Sequence, residues 1–398
     1  MSEWKITRVS QMAEILSGGT PKTEVEEYWN GNIPWLSVKD FAGDTRKVYD
    51  SEKHISELGL NSSATQLLYP GDLIISARGT VGEIAQIGKT SAFNQSCYGL
   101  RVADGYSSDY LYYMLKYQVR YLKSVANGAV FDTIVVKTFD RMKASVPDLP
   151  TQKRIADILS TYDDLIENNN RRIALLEKAA QELYKEWFVR FRFPGYTTIK
   201  FESGLPLGWE FRSVEDISAV LQRGISPIYA DDGESWVINQ KCIRKSIMDI
   251  SEARKQTKAF KPILNLQDGD TVICSTGTGT LGRVGQVYGD YPHTTFDSHV
   301  TMVRAKEGVG KYFLYYSLKN LQPWFMSMGI GSTNQQELYR KTIKNAKVVV
   351  PDIGVMNMFE EHISTIHNQI ILLSKSTECA TKQRDMLLPR LMSGKLEV

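Results

Sequence analysis

Residues 151–187 repeat apolar side chains at alternating spacings of four and three. This spacing is the a/d seam of a coiled coil, so a long helix with a partner helix is predicted. The seam consists of Ile155, Leu159, Tyr162, Ile166, Asn169, Ile173, Leu176, Ala180, Leu183 and Trp187. A second seam with the same spacing lies 204 residues later, at Phe359, Ile363, Ile366, Ile370, Leu373, Thr377, Ala380, Arg384, Leu387 and Leu391. The chain therefore carries its own partner helix.

The repeat extends to the residues before each helix. Trp4 corresponds to Trp209, and Val146-Pro147-Asp148 corresponds to Val350-Pro351-Asp352. A period this long indicates two copies of a domain and not a solenoid of small units. The predicted plan is a first domain at 1–149, a long helix at 150–193, a connector at 194–208, a second domain at 209–352 and a C-terminal long helix at 353–398.

Each domain is predicted to be α+β, mostly strands with small helices on one side. Apolar β-formers flank a Gly-rich turn at 73–87 and again at 271–287, which is typical of a hairpin. Aromatic-rich helices are predicted at 108–125 and 311–328. Pro-Asp dipeptides precede each long helix, and Thr151 is the expected N-cap of the first.

Composition narrows the class of protein only slightly. With 398 residues, of which 42% are hydrophobic, the chain can form two cores of ordinary size. A net charge of +3 means that any basic surface is local. The four cysteines form no C-x-x-C pair, which favours a reducing compartment over disulfides or a zinc knuckle. With no apolar leader or long apolar run, a cytoplasmic protein without membrane segments is expected.

Several motifs suggest an enzyme, but each is incomplete. Residues 277–282 match G-x-G-x-x-G, yet a second predicted strand follows where a dinucleotide site needs a helix. Gly88-Lys89-Thr90 resembles the end of a P-loop, but Glu83 stands where glycine is required. The Pro-Asp dipeptides lack the Glu-x-Lys strand of a nuclease. No catalytic residue is therefore assigned.

Metal and methyltransferase sites are equally poorly supported. Asp297, His299 and His293 have the residue types of a metal site or triad, but the first copy has no histidine at the corresponding positions. The Asn/Asp-Pro-Pro-aromatic tetrapeptide of adenine methyltransferases is absent, because the sequence contains no Pro-Pro pair. No metal ligand and no cofactor are assigned to this chain.

Polar and basic residues on predicted turns are the remaining candidates for function. Arg, Lys, Asn and Gln can bond base edges, and Ser, Thr and Lys suit phosphates. For any single residue, a solvated loop position is the simpler interpretation, so the hypothesis depends on the set. The first copy offers Lys22, Ser37, Lys39, Arg78, Thr80, Asn94 and Gln95. The second offers Asn239, Gln240, Lys241, Arg244, Thr276, Thr278, Thr280, Ser298 and His299.

The whole chain resembles the specificity subunits of type I restriction-modification systems. The motifs that carry this resemblance are Gly18-Gly19-Thr20-Pro21, Gly31-Asn32-Ile33-Pro34-Trp35, Gly71-Asp72-Leu73-Ile74-Ile75 and the C-terminal segment 387–394. The resemblance implies a non-catalytic protein whose two target recognition domains each bind one half of a split, asymmetric DNA sequence. It also implies an antiparallel helix pair, two methyltransferase subunits and two motor-nuclease subunits, with S-adenosylmethionine, ATP and Mg²⁺ only on those partners.

The helices suggest a spacer and docking surfaces for these partners. At a rise of about 1.5 Å per residue, the first seam is roughly 48 Å long, which suits half-sites one or more DNA turns apart. Large apolar residues near the helix ends are hypothesised to dock partner subunits, and packing on the chain's own domains is the alternative. These residues are Tyr162, Trp187, Phe188, Phe191, Leu387 and Leu391. Two rival functions remain: a methyltransferase or combined enzyme, and a scaffold that binds no DNA.

Overall fold

The computed structural model describes residues 4–43, 45–125, 133–244, 248–277, 279–331 and 336–398. The chain divides into two compact units. The first comprises the residues up to Asn170 together with Lys375–Val398, and the second comprises Arg171–Ser374. Each unit therefore contains one mixed α+β domain and one segment of each long helix.

The first domain alternates short strands and short helices. Its strands are β1 (Lys5–Arg8), β2 (Ala13–Ser17), β3 (Trp29–Leu36), β4 (Lys47–Val48), β5 (His54–Ile55), β6 (Leu73–Ser76), β7 (Ile84–Ile87), β8 (Ala92–Phe93), β9 (Cys97–Val102) and β10 (Lys143–Val146). The helices of this part of the chain are α1 (Val9–Met12), α2 (Val38–Phe41), α3 (Glu57–Asn61), α4 (Ser108–Val125), α5 (Val136–Arg141) and the first long helix, α6 (Leu149–Tyr184).

The second domain repeats this arrangement. Its strands, preceded by the connector hairpin β11 (Phe201–Glu202) and β12 (Leu205–Pro206), are β13 (Glu210–Ser213), β14 (Ser218–Arg223), β15 (Ser235–Ile238), β16 (Arg254–Gln256), β17 (Thr271–Cys274), β18 (Val284–Gln286), β19 (Thr294–Phe296), β20 (Val300–Ala305) and β21 (Lys347–Val350). The helices are α7 (Lys311–Asn320), α8 (Gln322–Ser327), α9 (Arg340–Asn345) and the second long helix, α10 (Ile353–Met392).

Sheet topology confirms that the two domains are copies of one fold. The larger sheet of the first domain has the order β2-β9-β6-β7-β4, and that of the second has the order β14-β20-β17-β18. A smaller sheet has the order β5-β3-β8 in the first domain and β16-β15-β19 in the second. The ribbons β1-β10 and β13-β21 precede the long helices in the same way. The predicted hairpins are the antiparallel pairs β6-β7 and β17-β18.

The two long helices run antiparallel within each unit. In the first unit Asn169 Nδ2 donates to Ser376 Oγ at 3.2 Å, and Arg384 Nη1 donates to Asp163 Oδ1 at 2.6 Å, so numbers rise on one helix as they fall on the other. In the second unit the ring of Tyr184, at the end of α6, packs on that of Phe359 on α10, with centroids 6.1 Å apart. Asn169 is buried in the seam and not exposed to solvent.

Most seam positions are buried against their own unit. Ile155, Leu159 and Leu391 are fully buried in the core of the first unit, and Phe359 and Ile363 in the core of the second. Leu373 is 9% exposed. Partly exposed seam positions are Tyr162, Ile173, Leu176, Leu183, Ile366, Thr377 and Leu387. The neighbour of Tyr162, Asp163, is the buried residue of that turn.

Three expectations need correction. The helix expected at 311–328 is broken at Leu321 into α7 and α8, because Pro323 cannot donate a backbone hydrogen bond. The first long helix begins at Leu149, and Asp148 Oδ1 accepts the Thr151 amide at 3.0 Å, so Asp148 and not Thr151 acts as the cap. Trp187, Phe188 and Leu391 lie in the chain's own cores, so the packing alternative to partner docking holds for them.

Candidate nucleic-acid interface

Loops distant in sequence meet at one edge of the first domain. The Gly19 amide donates to Phe93 O at 3.0 Å, which holds the 18–22 loop against the end of β8. A Cβ on Gly18 would lie 2.0 Å from Asn94 O, so only glycine permits this close approach. The Asn94 amide donates to Leu36 O at 3.0 Å. These contacts bring Lys22, Ser37 and Asn94 to one place.

The turn between β6 and β7 joins the same edge. The Ala77 amide donates to Ser96 O at 2.8 Å, which places Arg78 and Thr80 beside Asn94 and Gln95. Gly79 and Gly82 adopt φ of 76° and 83°, the left-handed conformation that this turn requires. We call this group the first cluster, and its members are Lys22, Ser37, Lys39, Arg78, Thr80, Asn94 and Gln95.

Some side chains of the first cluster support the local fold. Ser37 Oγ donates to Asp40 Oδ2 at 2.8 Å and caps α2, so its hydroxyl is already engaged. Asn94 Oδ1 accepts the Ser96 amide at 3.0 Å. The side chain of Gln95 bonds to Thr20. Lys22, Lys39, Arg78, Thr80 and Gln95 are exposed to solvent.

The second domain brings a different set of side chains together at the corresponding loops. Thr276 Oγ1 lies 2.6 Å from His299 Nδ1 and 3.5 Å from Gln240 Oε1. The Ser275 amide donates to His299 O at 2.8 Å, which fixes the end of β17 against this loop. We call this group the second cluster; its predicted members are Asn239, Gln240, Lys241, Arg244, Thr276, Thr280, Ser298 and His299. Thr278 lies outside the described residues.

Some side chains of the second cluster are hydrogen-bonded within local turns, and others are exposed to solvent. Asn239 Oδ1 accepts the Lys241 amide at 2.7 Å, and Thr280 Oγ1 donates to Thr276 O at 3.1 Å, so both residues stabilise turns. Ser298 accepts a hydrogen bond from Arg223 Nε through its backbone oxygen. The exposed side chains are Lys241, Arg244 and His299.

One backbone turn is identical in the two clusters. Asp297 Oδ1 accepts the His299 amide at 2.9 Å, as Asn94 Oδ1 accepts the Ser96 amide in the first cluster. Asp297 is 3% exposed, and burial raises the pKa of its carboxyl, while His299 and Arg223 act in the opposite direction. The scaffold of the loop is thus repeated, while the side chains that follow it differ.

The comparisons with known proteins match both copies. A model of the family described as type I restriction modification DNA specificity domain matches residues 1–178 and 206–372. The chain belongs to this family.

Relatives of this family member span its whole length. The type I restriction enzyme MjaIX specificity subunit of Methanocaldococcus jannaschii is 26% identical over 408 residues, which cover 100% of this chain and 94% of that protein. The MjaVIII specificity subunit of the same organism is 25% identical over 414 residues, which cover 100% and 93%. The crystal structure of a type I restriction-modification S subunit from M. genitalium has a TM-score of 0.57 at 15% identity and covers 98% of this chain and 96% of that chain. At this identity the last comparison supports the fold alone.

Two short basic helices, which were not among the predicted site residues, adjoin the clusters of this specificity-domain protein. The Ile134 amide donates to Ala77 O at 2.9 Å, and the Leu338 amide donates to Ser275 O at 2.8 Å. Helices α5 and α9 therefore start beside the turns that carry the first and second clusters. Their exposed cations are Lys137 and Arg141 on α5, and Arg340 and Lys341 on α9. Segments this short show no periodicity. The sequence does contain one signal, because Lys137 recurs as Lys341 at the repeat offset of 204 residues.

An aromatic and basic surface on β15 and β16 was also missed. Lys255 Nζ lies 5.7 Å from the ring centroid of Trp236, and the Arg254 guanidinium lies 3.7 Å from that of Tyr229. Trp236 is 43% exposed. Its counterpart in the other copy, Trp35, is buried and donates its indole N–H to a backbone oxygen at 3.0 Å. The second domain of the family member thus presents an aromatic side chain that the first does not.

The described residues contain no group of three or more His, Cys, Asp or Glu side chains that could hold a metal ion. Within the same ranges, no helix has the length and apolar character needed to cross a membrane.

Proposed function

We propose that this chain is the DNA-specificity subunit of a type I restriction-modification complex, and that each cluster contacts one half of a split double-stranded DNA target. The observation that carries the proposal is the pair of clusters built on one repeated scaffold with different side chains. Equivalent loops place Asn94 and Gln95 in one domain and Ser298 and His299 in the other. Two unlike surfaces fit two unlike half-sites.

The available side chains suit direct contacts with bases. Gln bonds adenine in pairs of hydrogen bonds, and Arg does the same with guanine. Arg78 serves this role in the first cluster, together with the exposed Gln95, whose Oε1 also accepts from Thr20. In the second, Gln240 and His299 are the candidates, since Thr276 holds His299 by Nδ1 and so orients its ring. Lys22, Lys39, Lys241 and Arg244 suit phosphates.

Helices α5 and α9 extend each cluster along the phosphate backbone. Their exposed Lys and Arg side chains lie beside the turns that carry Arg78 and Thr276. We assign these cations to phosphate contacts and not to base recognition. Contacts of this kind hold the domain in register on the duplex without selecting sequence. The net charge of +3 does not oppose DNA binding, because exposed Lys and Arg side chains of α5 and α9 lie beside the clusters.

The long helices complete the proposal. Helix α6 has 36 residues, which at about 1.5 Å per residue is roughly 54 Å. We assign these helices the spacing of the half-sites and the docking of two methyltransferase subunits, with two motor-nuclease subunits completing the complex. In this proposal S-adenosylmethionine, ATP and Mg²⁺ bind to those partner subunits, and this chain binds no cofactor itself. The complex is placed in the cytoplasm.

Membership of the specificity-domain family does not favour the alternative, a methyltransferase or combined enzyme with its own activity. The two proposals differ in one direct assay. The purified chain is incubated with DNA and S-adenosylmethionine in the absence of any partner. No methyl transfer is expected, and transfer by the chain alone would overturn the non-catalytic role.

Methylation mapping tests the recognition role. The chain is expressed with the methyltransferase subunit encoded beside it, and modified adenines are read by single-molecule sequencing. A split motif with two unlike halves and a fixed gap is expected. Gln240→Ala with His299→Ala should relax one half only, and Arg78→Ala with Gln95→Ala the other half only.

A matched control separates these effects from general damage. Arg212→Gln changes an exposed side chain on β13, outside both clusters, and should leave both halves of the motif intact. A stable complex that produces no modified motif would refute the DNA-recognition role. A motif that changes in both halves with either pair of substitutions would refute the assignment of one cluster to each half.

A further inference from the structure

The helix seam of the first unit contains a buried ion pair. Arg384 Nη1 lies 2.6 Å from Asp163 Oδ1, and the side chains are 6% and 5% exposed. The hydroxyl of Tyr113 donates to the other carboxylate oxygen at 2.5 Å. Arg384 also bonds Asp385 at 3.0 Å. The Asp163 carboxylate is therefore neutralised and hydrogen-bonded away from water, as a buried charge must be.

The second unit lacks this pair at the equivalent positions. The counterpart of Asp163, 204 residues later, is His367, and the counterpart of Arg384, 204 residues earlier, is Ala180. His367 is 2% exposed, and its Nε2 lies 2.8 Å from the hydroxyl of Tyr316, the counterpart of Tyr113. Ala180 is fully buried in the core of the same unit. The two seams are related by repeat but differ in charge at this layer.

A second polar layer shows the same asymmetry. Asn169, 2% exposed, bonds Ser376 in the first unit. Its counterpart in the other helix is Leu373, and the counterpart of Ser376 is Arg172. A buried polar residue in a seam selects its partner at a loss of stability. Both polar layers therefore mark the segments of α6 and α10 that pair in the first unit.

We propose that the buried Asp163–Arg384 pair fixes which helices associate, so that each half of the chain pairs with the other half and not with a second copy of itself. The N-half is defined as residues 1–203 and the C-half as residues 204–398. If two N-halves paired in the same register, each Asp163 would face Ala180 of the other copy. If two C-halves paired, each Arg384 would face His367.

Self-pairing is disfavoured because it breaks the buried Asp163–Arg384 ion pair. Removal of one member of a buried ion pair typically shifts an equilibrium by on the order of a hundredfold or more. A symmetric pair of N-halves would incur this twice, once for each Asp163. Two C-halves incur less, because Arg384 keeps its bond to Asp385. Only the pairing of an N-half with a C-half forms the Asp163–Arg384 ion pair. This inference does not depend on the proposed DNA recognition.

The test begins with the intact, folded chain. A protease site is inserted between Ser203 and Gly204, at the exposed turn of the β11-β12 hairpin. The purified chain is cut, and isotopically light and heavy preparations are mixed in urea near the unfolding midpoint and returned to buffer. Native mass spectrometry then counts the pairs. Appearance of light-heavy N-half:C-half pairs proves that the halves have exchanged partners.

The wild-type chain should give N-half:C-half pairs, with N-half:N-half pairs on the order of a hundredfold rarer. The two penalties give only one such factor because each N-half self-pair forms, with a C-half self-pair, from two N-half:C-half pairs. Ala180→Arg with His367→Asp makes the two seams equivalent at the ion-pair layer and should raise both kinds of self-pair toward the statistical 1:2:1. Asp163→Ala with Arg384→Ala removes the charges and should also admit self-pairs. This second variant covers the case in which the first does not fold.

A matched control places the same residue types next to the seam. Ala179→Arg with Asn368→Asp alters exposed neighbours of Ala180 and His367 and should leave the wild-type distribution unchanged. The proposal is overturned by abundant self-pairs of wild-type N-halves. It is equally overturned if the folded variants exchange partners but retain the wild-type distribution.

Discussion

Acid should destabilise the second unit through one buried histidine. His367 is 2% exposed and lies between two tyrosine hydroxyls, with Nδ1 2.5 Å from that of Tyr288 and Nε2 2.8 Å from that of Tyr316. Burial, with a further contribution from the positive charge of Lys311, lowers the pKa of His367 to about 3. The folded unit therefore holds this imidazole neutral at pH values where an unfolded chain protonates it.

The sign and size of the effect follow from this pKa. Because the folded pKa lies below the unfolded value of about 6.5, the stabilisation is fully present above pH of about 6.5 and is lost as the pH falls toward 3. Each pH unit in this window is worth about 1.4 kcal/mol. Between pH 7 and pH 5 the free energy of unfolding should fall by about 2 kcal/mol, and the limit near pH 3 is about 5 kcal/mol.

Native-state hydrogen exchange measures this loss where it occurs. Opening free energies of amides in α7, which carries Tyr316, are compared at pH 7 and pH 5 after correction for intrinsic rates. His367→Gln should remove about 2 kcal/mol of the pH dependence. His362→Gln, at an exposed position of the same helix, should retain the wild-type dependence. An equal pH dependence in the wild type and His367→Gln would refute the reasoning, since other titrating groups are common to both proteins.

Three further changes test other parts of the structure. Phe188→Ala removes a ring that is 3% exposed and should lower the free energy of unfolding in urea by about 3–5 kcal/mol; Val189→Ala, at a 49% exposed residue, should change it by under about 0.5 kcal/mol. Arg304→Met removes the ion-pair partner of Asp270, which is 1% exposed, and should lower the free energy of unfolding by about 3–5 kcal/mol. Asp270→Leu in the same chain should restore most of this loss, and a double variant as unstable as the single one would contradict the reasoning. Lys341→Gln should reduce the slope of log Kd against log salt concentration by about 0.9 with the methylated motif unchanged, and an altered motif would argue against a phosphate contact.

The sequence predicted the architecture because two long-range signals were strong. An uninterrupted heptad seam and its copy 204 residues later required two paired helices, and equivalent motifs required two similar domains. Element ends were less predictable. The cap at Asp148 and the break at Leu321 depend on single hydrogen bonds and on one proline, which periodicity does not detect.

The clusters were predicted as sets but not residue by residue. Ser37, Asn239 and Thr280 have the residue types of DNA contacts, yet their polar atoms cap or close local turns. The basic residues of α5 and α9 gave no periodic signal, and only backbone hydrogen bonds to Ala77 and Ser275 place them beside the clusters. Whether a polar side chain is already hydrogen-bonded within the protein depends on tertiary structure, so residue types alone do not reveal it.

The first unit is formed by two chain segments that are far apart in sequence, and this sets the order in which the two units can fold during synthesis. Its core, which includes Leu159, contains Leu388, Leu391 and Met392, so it cannot close until the ribosome has added more than two hundred further residues. At about 5–20 residues per second, this wait is roughly ten to forty seconds. The second unit, which ends at Ser374, is complete before the first. A nascent chain of this kind should therefore depend on chaperones for its N-terminal domain, although that domain is made first.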